Sequence, residues 1–198
     1  MLFKKVSEID REKLPRKNGV YLFRLNEKAT LDGFENPDYF RIVYIGRAIK
    51  SSSIFGRFGS HIETSSKQTS SSGSTLRRSL GAIFKKKFSL KAYPRFNKKE
   101  NKPDHIDNFN FILPENDYTK ETILTNWMKE NLEYFYIETK DAKELEKYLI
   151  KHLKPTLNDS IEHNPLRDKL HGEKGLRQKC KNEASNFSKK NYGFVPKN

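Results

Sequence analysis

The chain of 198 residues has a single cysteine, Cys180. A lone thiol cannot close an internal disulfide or build a cysteine-rich zinc site. That usage fits a reducing cytoplasm and excludes zinc-finger chemistry. No apolar run reaches the length of about 18 residues that a membrane-spanning helix needs. The opening Met1-Leu2-Phe3-Lys4-Lys5-Val6 has no apolar stretch, so no secretory leader is expected. Hydrophobic residues are scarce at 34%, so the core has to be compact. Acids are the other shortage: Asp and Glu total 25, against 39 Lys and Arg.

The resulting net charge of +14 points to a polyanionic partner. The excess is concentrated. Between Leu76 and Lys102 lie ten bases, Arg77, Arg78, Lys85, Lys86, Lys87, Lys91, Arg95, Lys98, Lys99 and Lys102, and one acid, Glu100. Phe84, Phe88, Tyr93 and Phe96 are interleaved with them. Cations grip phosphates, and aromatics pack beneath cationic stems or meet unpaired bases. Nucleic acid is therefore the expected partner, with Arg77, Arg78 and Lys85, Lys86 and Lys87 as its phosphate contacts.

The periodicities describe one mixed α/β (α+β) domain. Val20 to Leu25 reads as a strand after the turn signal Lys17-Asn18-Gly19, and Tyr39 to Ile45 as its antiparallel partner. Ile54, Phe55 and Phe58 have helical spacing. Thr64 to Ser74 is Ser-rich and reads as a flexible loop, and Thr75 to Lys87 as a basic amphipathic helix. Phe88 to Asp107 reads as irregular, and Phe109 to Leu113 as a short strand. A helix from Thr119 to Leu132, capped by Thr119, precedes a third core strand from Glu133 to Thr139. Asp141 is expected to cap a last helix that carries Leu145, Leu149 and Leu153 and stops at Pro155. From Asp159 the pattern fades into a basic extension that wraps the domain or stays mobile. The expected division is a domain over 1–158, with a basic insertion at about 62–140, and an extension over 159–198.

Five landmarks occur in order. They are Gly19-Val20-Tyr21, Tyr44-Ile45-Gly46, Arg57 with His61 one helical turn on, Glu146 on a later helix, and Asn158 after that helix. This series resembles the GIY-YIG nuclease superfamily, over residues 19–61 and 141–158. The Arg-x3-His register is similar to its restriction-endonuclease branch. The resemblance implies a domain with a central three-stranded antiparallel sheet flanked by helices. It also implies metal-dependent hydrolysis of phosphodiester bonds, usually with one Mg²⁺ that Mn²⁺ can replace. Glu146 matches the metal ligand. Arg57 matches the arginine that steadies the scissile phosphate. Tyr21 is expected as general base and Tyr44 as the group orienting water or phosphate, though the two roles can be exchanged. A phenol near pKa 10 needs help as a base, and Arg47, directly after Gly46, is placed to favour phenolate. His61 would face the same phosphate as Arg57, and the Asn158 amide would hold the geometry.

The expected enzyme is a DNA endonuclease of a restriction or phage-defence system, double-stranded DNA favoured and RNA open, with a homodimer possible on DNA. A repair or mobile-element nuclease is the alternative, and a binding module that keeps the fold without catalysis is another. Pro103-Asp104 with Glu138-Thr139-Lys140 has the residue types of a PD-(D/E)xK site, a pairing common by chance. His163-Asn164 and His171 lack the cysteines and hairpin of an HNH element.

Overall fold

The computed structural model describes residues 2–35, 40–49, 52–62, 73–97, 102–103, 109–112, 121–160, 162 and 164–192. In chain order the strands are β1 (Lys4–Lys5), β2 (Gly19–Leu25), β3 (Ile42–Ala48), β4 (Lys91–Pro94), β5 (Phe96–Asn97), β6 (Lys102–Pro103), β7 (Phe109–Ile112) and β8 (Leu132–Glu138). The helices are α1 (Ile54–His61), α2 (Thr75–Phe84), α3 (Thr122–Asn131), α4 (Ala142–Leu153), α5 (Arg167–His171) and α6 (Leu176–Tyr192). None is long and apolar enough to cross a membrane, among the described residues.

The main sheet has the order β1-β8-β2-β3, with every pair antiparallel. The expected three strands are β8, β2 and β3. Lys4–Lys5 adds a fourth edge of two residues, too short to leave a periodic signal. Strand alternation splits the core in two. Tyr21, Phe23 and Leu25 join a large cluster with Phe58 of α1, Leu80 of α2 and Met128 of α3. Val20, Leu22 and Ile45 face the other way, onto Ala142 and Leu149 of α4.

The stretch read as irregular contains β4, which pairs with β7 in the register Lys91↔Ile112 to Pro94↔Phe109. It is only four residues, Lys91-Ala92-Tyr93-Pro94, and ends on a proline, which is tolerated at a strand end. Helix α2 stops at Phe84, three residues short of Lys87. Ser89 adopts a left-handed φ of 53°, and the Leu90 N–H returns to the Lys85 carbonyl at 2.8 Å, closing the helix end. Helix α3 has Glu121 in its cap position, and the expected cap, Thr119, lies outside the described residues. Asp141 sits at the start of α4 without a capping side-chain bond. The segment after Asp159 folds as α5 and α6, whose Leu170, Cys180 and Ala184 join the large cluster.

The basic insertion carries the main correction. Arg77 is 0% exposed and cannot touch a phosphate. Its Nε donates to Glu121 at 3.1 Å, and its Nη atoms donate to Thr125, the Glu121 carbonyl and the His61 carbonyl. Glu121 also accepts the Phe111 N–H at 2.9 Å, so the pair ties α1, α2, α3 and β7 together. Phe84 stacks on Trp127 at 4.5 Å inside the core and does not face bases.

Arg77→Ala strands the Glu121 carboxylate in the core. Breaking a buried pair from one side removes about 3–5 kcal/mol. Guanidinium denaturation of the variant should show a loss of that size, and an unchanged midpoint would contradict the network.

Candidate active site

Two glycines admit the side chains that matter. A Cβ on Gly46 would strike the Tyr21 phenol, with Tyr21 Cζ only 2.5 Å away. Tyr21 lies directly across from Gly46 in the β2–β3 register, and its ring uses the space a side chain would fill. A Cβ on Gly19 would strike the Ile137 carbonyl and come within 2.7 Å of Ile54 Cδ1. That glycine lets β2 lie close to both β8 and α1.

The register shifts once, so that Phe23 faces Tyr44, Arg24 faces Ile42, and Val43 is the extra residue. A bulge of this kind re-aims neighbouring side chains. Here Val43 and Tyr44 both join the cluster that holds Tyr21, while Ile42 and Ile45 join the other. The Tyr21 and Tyr44 rings lie 6.3 Å apart.

Helix α1 brings the next pair. Ser53 caps it by accepting the Gly56 N–H, and Arg57 and His61 follow one turn apart. Arg57 and Tyr44 both act electrostatically on Tyr21. Tyr21 Oη lies 2.8 Å from His61 Nε2, and His61 Nδ1 lies 2.6 Å from Ser74 Oγ. Ser74 also caps α2 by accepting the Arg77 N–H. Sequence reasoning missed Ser74, because it closes a Ser-rich stretch that reads as a loop. Its one signal was its place as cap before Thr75-Leu76.

The electrostatics follow from burial. Desolvation pushes the Tyr21 phenol well above 10, with Arg57 acting against it. Tyr44 is raised for the same leading reason. His61 falls to about 3, first through burial and then through Arg57, Arg77 and Arg78. A neutral ring carries one N–H, so one of its nitrogens donates and the other accepts.

Glu146 reaches this group from α4. Its carboxylate accepts from Arg47 Nη1 at 2.6 Å and is 15% exposed. Burial raises its pKa, while Arg47 and Arg57 pull it down. Arg47 is therefore the counter-ion of Glu146, and Arg57 is the cation that acts on Tyr21, a correction to the expected division. Asn158 grips β3 from outside: Oδ1 accepts the Ile45 N–H at 2.9 Å, and Nδ2 donates to the Ile45 carbonyl at 2.7 Å. It serves this edge strand as a paired residue would.

The other expected contacts are scattered. Arg78 acts electrostatically on Tyr44 and His61, so it adjoins the site. Lys85 pairs with Glu183 at 3.1 Å, Lys87 lies 4.0 Å from Asp32, and Lys86 is exposed. Only part of each rival pattern lies among the described residues. Glu138 is bound to Lys17 at 2.8 Å, and Asp104 lies outside the described residues. His163 also lies outside them, while Asn164 is buried and holds the Thr156 and Asn158 carbonyls.

The model of the GIY-YIG catalytic domain matches residues 19–182. The chain belongs to that family. It is an endonuclease that hydrolyses phosphodiester bonds, and its substrate is a nucleic acid. No curated protein and no solved structure gives a match. GIY-YIG nucleases generally depend on a divalent metal. The donor set here fits a hard cation: one carboxylate, Glu146, among phenol oxygens. No group of three or more His, Cys, Asp or Glu gathers among the described residues, so phosphate and water oxygens would complete the shell.

Burial of His61 sets a pH dependence. The unfolded histidine binds a proton near 6.5 and the folded one near 3. Between those values the unfolded chain holds more protons, so stability falls as pH falls. Denaturation midpoints should be lower at pH 5 than at pH 7, and His61→Gln should shrink that difference. An equal difference in the variant would show that His61 is not the group responsible.

Proposed function

We propose that this GIY-YIG endonuclease cuts double-stranded DNA with Mg²⁺, in a restriction or phage-defence role. The observation that carries the catalytic reading is the contiguous group at the edge of β3. In it Tyr21, Tyr44, Arg57 and His61 meet, with Glu146 facing them. The Arg57-x3-His61 register supports the restriction role, by its similarity to that branch of the family.

In this reading water attacks phosphorus, a new P–O bond forms, and the bond to the leaving oxygen breaks. Arg57 binds the scissile phosphate. Its Nε is buried with no hydrogen-bond partner among the described residues, an orphan donor that a phosphate oxygen would satisfy. Tyr21 takes the proton of the attacking water and passes its own to His61 Nε2. The relay suits a phenol whose burial disfavours a resting phenolate. His61 is neutral and able to accept, and a phosphate beside Arg57 offsets the cationic field that depresses it. Ser74 holds the ring orientation, Tyr44 orients the water or the phosphate, and Asn158 fixes β3. Glu146 would hold the divalent ion, which supplies charge neutralisation at the reacting phosphate. One site per chain cuts one strand, so a double-strand break takes two chains on DNA or two successive nicks.

Purified protein should cut plasmid and phage DNA into discrete fragments with Mg²⁺ and none with EDTA. Glu146→Ala should slow cutting by about a hundredfold or more while keeping DNA affinity, because phosphate contacts carry most of the binding. Nicking or smearing would retain the nuclease and remove the restriction role. Tight, salt-sensitive binding without cutting of any nucleic acid would favour a module that keeps the fold only.

A further inference from the structure

A second feature stands apart from the catalytic group, at the end of β2 where Arg24 and Leu25 meet the start of β3. A cavity of about 690 Å³ opens there between β1, β2, β8 and the end of α3. Lys5, Arg24, Lys28, Arg41 and Lys129 line it. Three carboxylates line it too, Glu27, Glu130 and Glu133, and Glu133 is already satisfied by Arg24 at 2.6 Å.

Phe40 stands in this charged wall and is 74% exposed. Its φ is 54° and that of Arg41 is 57°. A bulky residue rarely adopts the left-handed region, and two such residues in succession are rarer still. Burial of the ring does not compensate, since the ring faces solvent. The turn is held from beside it: the Arg41 guanidinium donates to the Ala29 carbonyl, and the Leu25 N–H donates to the Arg41 carbonyl at 3.0 Å. The chain is thus fixed in a strained form that displays an aromatic face among cations. Strain of this sort gathers at ligand-binding places.

Protein docking suits the surface less. A docking patch needs contiguous apolar area. The other exposed large apolar side chains among the described residues, Leu2 and Tyr148, do not line this cavity. A single aromatic plane beside five cations, which outnumber the three carboxylates of the same wall, matches an open base face with phosphates on either side.

We propose that Phe40 stacks on a nucleobase turned out of the duplex substrate, with Lys5, Lys28 and Lys129 meeting the flanking phosphates. The inference rests on the nuclease reading. Phe40 precedes Tyr44 by four residues, at most about 13 Å of chain. That spans about four nucleotide steps of 3.4 Å, so one substrate molecule reaches both places.

The test uses the full chain in EDTA with a fluorescein-labelled single-stranded oligonucleotide, read by anisotropy. Phe40→Ala should weaken binding about tenfold or more, and Phe40→Trp should restore it. The introduced indole should also be quenched by DNA, against a steady background from Trp127, which is 9% exposed. Because Phe40 is exposed, neither variant threatens the fold. Equal affinity of wild type and Phe40→Ala, without quenching, would overturn the stacking while plasmid cleavage by both upholds the nuclease. Concentration-dependent sedimentation lost in Phe40→Ala, at unchanged DNA affinity, would overturn it in favour of a protein contact. Failure of the wild type to bind or cut any nucleic acid would remove both readings together.

Discussion

Every contact of Tyr21 depends on the missing side chain at position 46. With Gly46 across the ladder, the phenol lies over the neighbouring backbone and reaches His61 on α1. A methyl group there would drive the ring away, and Arg57, Tyr44 and His61 would lose their shared partner. Gly19 plays the matching part on the other side of β2, where it lets α1 and β8 close in. The two glycines of the sequence landmarks are thus packing requirements first. Chemistry becomes possible because they are met.

The arginines show how position assigns a role that residue type leaves open. Arg77 and Arg78 are adjacent, yet Arg77 is sealed in the core against Glu121 while Arg78 acts on Tyr44 and His61. Arg77 still serves the site from behind, since its Nη1 binds the His61 carbonyl and its N–H binds Ser74, the partner of the His61 ring. The His61 ring is therefore held by the same buried network that joins α1, α2 and α3. Stability and site geometry share their parts here. A loss of that network would loosen the ring before it touched any residue that meets substrate.

Much of this was legible in the sequence because it is local. Strand alternation gave β2, β3 and β8, and the ordered landmarks gave Tyr21, Tyr44, Arg57, His61, Glu146 and Asn158 as one group. What was not legible depends on contacts between distant segments. Glu121 turns inward to Arg77, 44 residues away, and nothing near either residue announces it. Ser74 caps a helix and meets a histidine, 13 residues away, through one hydroxyl. β4 forms only because β7 pairs with it. The amphipathic pattern of α2 puts Phe84 on the core face, where it lies, but nothing in it shows that Arg77 is buried with it.

The charges around the catalytic group decide how it can meet a polyanion. At neutral pH both phenols and His61 are uncharged, since burial raises the first two and lowers the third. Among the described residues of this group Glu146 is then the anion, opposed by Arg47 and Arg57. A half-buried carboxylate without a counter-ion would repel phosphate from the place where phosphate must sit. The Arg47 contact at 2.6 Å removes that repulsion. On the proposed function, Arg57 then meets the substrate phosphate. Binding and cutting are separable on that same proposal: guanidiniums serve the first, and the second also needs the Glu146 carboxylate, which a cation would share with Arg47 or take from it.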